Sequence, residues 1–180
     1  FGQTRIRAGG EPSGAVVCLA YASPPPRSKL FPAFLALVAR LHAAAMKLRS
    51  DPGEYPVIFA PLEDFGTVYV ISKAKEGETP DKAVQRLSKF VAEAVDPGEV
   101  RDAIAAGKQQ FAFLLDTWTL PDLLLRNNVY GVAFGLGRRK QLGIIGEQLA
   151  RDMDLLQPAT LQQCTRQYFA EDRRAIVIVQ

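Results

Sequence analysis

The sequence predicts an α+β fold: a two-layer, ferredoxin-like α/β roll with a mainly antiparallel four-stranded sheet and extra helices inserted before the last strand. Three observations predict it. Four short runs rich in Val, Ile, Phe, Tyr and Ala, at 15–21, 55–60, 67–72 and 175–179, have the length of strands. Between them lie stretches whose apolar residues recur three and four apart, the period of one helical face. The clusters Pro24-Pro25-Pro26, Asp51-Pro52-Gly53 and Asp96-Pro97-Gly98 punctuate the two kinds of segment.

Residues 1–14 are polar and glycine-containing and read as a linker or arm, leaving 15–180 as a single domain. The run 15–21 carries Val16, Val17 and Leu19 without clean alternation, which predicts a strand buried on both faces or nearly so. Three prolines end it, because proline cannot donate to a ladder. Across 30–48, Phe34, Leu37, Val38, Leu41, Ala45 and Leu48 mark one helical face. The segments 55–60 and 67–72, joined by Pro61-Leu62-Glu63-Asp64-Phe65-Gly66, form a hairpin. Thr79 before Pro80 suits an N-cap followed by proline at the first helical position. Val84, Leu87, Val91 and Val95 then continue at helical spacing, and Val100, Ile104 and Phe111 start another helix. A less regular helical region occupies 120–133. Gly137-Arg138-Arg139-Lys140 opens a helical stretch to about 152, 154–160 lead into a last helix ending at Tyr168-Phe169, and 173–180 close as a strand.

Composition narrows the function classes. An apolar fraction of 48% with 23% charged residues is that of a globular chain. The net charge of +3, with acidic residues interspersed, does not imply a nucleic-acid partner. No stretch approaches the roughly 18 apolar residues of a membrane span. The chain opens Phe1-Gly2-Gln3-Thr4, without an initiator methionine or a signal sequence, and reads as the interior of a longer polypeptide or a processed product. Cys18 and Cys164 read as two buried thiols, not a disulfide. One histidine and two distant cysteines leave little material for a metal site.

Several residues could carry chemistry. Glu63 and Asp64 form an acidic tip, but no third oxygen ligand accompanies them, so a solvated turn is the reading. Phe134-Gly135-Leu136-Gly137 lacks both the preceding strand and the further glycine of a nucleotide loop. Arg138-Arg139-Lys140 reads as a solvated basic patch, with substrate steering as the alternative. His42, beside the apolar face of its helix, reads as structural or exposed. Trp118, Phe111 and Phe113 suit a core or an interface.

The order and spacing of these pieces over 15–180 resemble the C-terminal, non-catalytic half of pitrilysin-like (insulinase-type, M16) zinc metallopeptidases. The pieces are the first long helix at 30–49, the hairpin at 55–72, the helix at 78–95, the segment Pro97-Gly98-Glu99-Val100-Arg101-Asp102-Ala103-Ile104 with Lys108, and the terminal helix and strand at 156–168 and 173–179. The resemblance implies an α/β roll that pairs with another half around a peptide chamber. The family holds zinc through His-x-x-Glu-His in its catalytic half only. That motif is absent here, and His42 stands in Arg40-Leu41-His42-Ala43-Ala44. The resemblance therefore implies no metal and no catalytic residue in this chain, and zinc in a catalytic partner half or subunit. It further implies a peptide substrate and a homo- or hetero-oligomer, and leaves periplasmic and cytoplasmic residence open in a bacterial host. The alternative is a structural or interaction module on the same fold without a proteolytic role.

In this family the half without zinc supplies an arginine and a tyrosine between the first helix and the next strand. Arg49 and Tyr55, in Leu48-Arg49-Ser50-Asp51-Pro52-Gly53-Glu54-Tyr55, match in position and order, one residue closer together than in the family. Pro-Gly-Glu-Tyr replaces the usual Gly-Leu-x-Tyr. A guanidinium and a phenol can donate to a peptide carbonyl and steady the charge that develops on it. The other reading is an arginine favourable to the helix dipole and a tyrosine starting a strand.

Overall fold

The structure is a computed structural model that describes residues 4–9, 14–48, 56–60, 66–96, 98, 100–115, 137 and 139–179. Alternation builds its sheet. In β2 (Val16–Ala22) the side chains of Val17, Leu19 and Tyr21 are buried, while Val16, Cys18 and Ala20 are half-buried. This corrects the reading of a strand buried on both faces: the period of two is present, but apolar residues at both kinds of position hide it. β3 (Val57–Ala60) and β4 (Thr67–Lys73) pair antiparallel, with Val57 opposite Val70 and Ala60 opposite Thr67. Val68 and Val70 point inward and Tyr69 outward. In β5 (Arg174–Val179), Ile176 and Ile178 point inward.

β2 pairs antiparallel with both β4 and β5, so that Cys18 lies between Ile71 and Val177. These four strands, in the order β5-β2-β4-β3, are the expected antiparallel sheet. β2 and β3 run parallel with β4 between them, the split βαβ arrangement of ferredoxin-like folds.

The sheet gains a fifth strand. β1 (Thr4–Ala8) lies parallel to β5 along one edge, with Thr4 opposite Ala175 and Ala8 opposite Val179. Residues 4–8, read from the sequence as part of a linker or arm, thus form an edge strand. Thr-Arg-Ile-Arg-Ala offers no apolar run to announce a strand, and charges are what an edge strand carries. Its order comes from the backbone ladder that β5 presents.

The helices cover the face carrying Val17, Leu19, Val68 and Val70. α1 (Phe31–Lys47) is buried at every residue from Phe31 to Ala39, because it packs against the sheet at β3 and against four other helices. A helix so enclosed is apolar all round at that end. Of the predicted face, Phe34, Leu37, Val38, Leu41 and Ala45 are buried, but Leu48 is the C-cap and 50% exposed, since the helix leaves the core before reaching it. α2 (Pro80–Ala94) starts as expected: Thr79 Oγ1 accepts from the Lys82 N–H at 3.4 Å, with Pro80 in the first turn. It lays Ala83, Val84, Leu87 and Val91 on β2 and β4.

α3 (Val100–Gln110) runs against α1, and a turn at Phe111 separates it from the short α4 (Ala112–Leu115). α5 (Gly146–Asp154) and α6 (Pro158–Tyr168) follow, and a 3-10 turn (Glu171–Arg173) leads into β5. The single stretch expected from Gly137 to about 152 is broken. Gly143, at φ 64°, donates to the Lys140 carbonyl at 3.1 Å, and Ile144 donates to that of Arg139 at 3.0 Å. That pair of bonds is a Schellman cap, which needs a left-handed residue that glycine adopts at least cost.

Candidate functional site

Arg49 and Tyr55 lie outside the described residues, within 49–55, but both flanks of that segment are fixed. α1 delivers the chain at Leu48, whose N–H donates to the Ala44 carbonyl at 3.3 Å. Beyond the segment, the Pro56 carbonyl accepts from the Ile71 N–H at 3.1 Å, and β3 begins as the edge strand beside β4. Met46, Leu48 and Ile58 on these flanks are exposed apolar side chains. Glu63, Asp64, Trp118, Phe134, Gly135, Leu136, Arg138 and the side chain of Phe113 also lie outside the described residues, whereas Phe111 is in the core.

The described residues do not fit a zinc site. His42 is half-buried on α1, Cys18 faces the outer side of the sheet, and Cys164 is buried in α6. Burial pushes the Cys164 thiol up to about 12, so it stays protonated near neutrality and is neither ligand nor nucleophile. Its Sγ donates weakly to the Leu30 carbonyl at 3.9 Å. Among the described residues no three His, Cys, Asp or Glu converge.

An arginine and a tyrosine do face each other among the described residues, in the core. Tyr21 and Arg174 are directly opposed across β2 and β5. Arg174 is 7% exposed; its Nη1 donates to Glu171 Oε1 at 3.4 Å, while its Nε is buried without a partner. The Tyr21 ring packs 5.3 Å from that of Phe169, which in turn stacks on Phe34 at 5.2 Å. Burial raises the Tyr21 phenol above its ordinary range, against the pull of the neighbouring Arg174 guanidinium. A pair so enclosed orients the start of β5 and is closed to a peptide.

A second polar cluster ties β4 to α2. Arg86 Nε donates to Glu78 Oε1 and Nη2 to Oε2, both at 2.9 Å, a bidentate pair. Arg86 also donates to Ser72 Oγ at 3.2 Å and to the Lys73 carbonyl at 3.1 Å, and Glu78 Oε2 accepts from the Lys75 N–H at 2.8 Å. The Arg86 hydrogen bonds, followed by that of Lys75, hold the Glu78 carboxyl down at about 2. Sequence reasoning missed this cluster because Glu78 and Arg86 sit at no periodic spacing. A cavity of about 220 Å³ opens between the start of α1 and the start of α5, with Arg27, Lys29 and Asp152 among its polar lining. Its mixed charges favour no ligand class. Among the described residues no helix is long and apolar enough to cross a membrane.

Comparison by sequence finds neither a matching family model nor a matching curated protein. Comparison by structure finds the fold repeatedly. The peptidase M16 inactive domain from Pseudomonas fluorescens superposes with a TM-score of 0.63 at 13% identity, over 99% of this chain and 43% of that one. A chain described as an M16-like peptidase from Alicyclobacillus acidocaldarius gives 0.61 at 14% identity, over 98% and 43%. The inactive peptidase domain of a chain described as a zinc protease from Bordetella parapertussis gives 0.58 at 16% identity, over 96% and 94%. The chain thus spans under half the length of the first two and nearly all of the third. It has the α+β fold of the inactive half of M16 peptidases.

Proposed function

We propose that this chain is the non-catalytic half of a zinc metallopeptidase, which forms part of the wall of a peptide chamber and assists hydrolysis carried out by a partner half. The observation that carries the reading is a fold shared along the whole chain with domains described as inactive peptidase domains, in a sequence without His-x-x-Glu-His. On this reading the zinc and the general base belong to the partner, where the metal polarises the scissile carbonyl and activates water. The segment 49–55 brings Arg49 and Tyr55 to the substrate, where guanidinium and phenol donate to a peptide carbonyl. What supports this is the position of the two residues in the sequence, between α1 and β3, where the family's arginine and tyrosine stand. The shortened Arg-to-Tyr spacing favours the second reading, an interaction module on the same fold.

The test is reconstitution with the catalytic half. Peptide hydrolysis is expected only when both halves are present, at a rate that saturates as this chain is titrated in. A catalytic half equally active alone would leave the interaction module as the reading.

A further inference from the structure

We draw no further inference here: the strongest candidate, the outward apolar face of the sheet around Cys18, Ile58, Tyr69, Ile71 and Val177, carries nothing because no feature of the structure shows what covers it.

Discussion

Glu78 holds its charge at the junction between β4 and α2, with a side chain only 14% exposed that accepts three hydrogen bonds, two from Arg86 and one from the Lys75 N–H. Its carboxyl titrates at about 2 in the folded chain, below the ordinary 4.5, so the folded state favours the ionised form. The resulting stability is fully present above about 4.5 and is lost as pH falls toward 2, because the unfolded chain takes up its proton first. Glu78→Gln is expected to lower unfolding free energy by about 1–3 kcal/mol at pH 7. Urea unfolding at several pH values should show that difference shrinking below pH 4.5; a difference constant down to pH 2 would assign it to packing instead. Arg49 and Tyr55 are predicted to act on turnover. In the reconstituted protease Arg49→Ala should lower kcat ~100-fold, the scale of one lost transition-state donor, with zinc content and assembly unchanged. Tyr55→Phe should lower it too, since it removes only the donor hydroxyl. Kinetics indifferent to both substitutions would leave this half as scaffold and wall.

α3 approaches α1 closely at Gly107. A Cβ on Gly107 would stand 3.2 Å from Ala36 Cα and would collide with Met153 Cε. The methionine end can move aside; the α1 backbone, buried along that turn, cannot. Gly107→Ala is therefore expected to cost about 1–3 kcal/mol although alanine is the better helix former. Gly137→Ala, with open space around it, is the control and should change stability by less than about 1 kcal/mol in the same urea melts. What the sequence revealed and concealed follows the same logic of contacts. β2, β4, β5, α1 and α2 were legible because their apolar residues and their Pro, Gly and Thr punctuation agree with the burial that results. The break at Gly143 was hidden because Leu142, Ile145, Leu149 and Met153 continue at spacings of three and four straight through it. β1 was hidden because its order comes from a neighbour far along the chain. Arg49 and Tyr55 were singled out through family resemblance and the donor chemistry of their side chains, and they lie outside the described residues.

The isolated chain is expected neither to retain zinc nor to cleave peptides. Elemental analysis after dialysis should find far less than one zinc per chain; a stoichiometric ion released by His42→Ala would overturn the reading of this half as metal-free. The same chain also has a timing problem during synthesis. β5 lies in the sheet between β1 and β2, yet among the described strands it is the last to be translated. At ~5–20 residues per second, about 8–30 s separate the emergence of β2 from that of β5. Throughout that interval β2 exposes its ladder edge on the side of the missing neighbour, and β1 has no strand to join. A ribosome stalled before Arg174 should therefore display protease-sensitive β1 and β2, while one whose nascent chain has cleared β5 should display a resistant domain. The closing strand thus makes folding largely a late event, and the half-made sheet a natural client for whatever shelters unpaired strands at the tunnel exit.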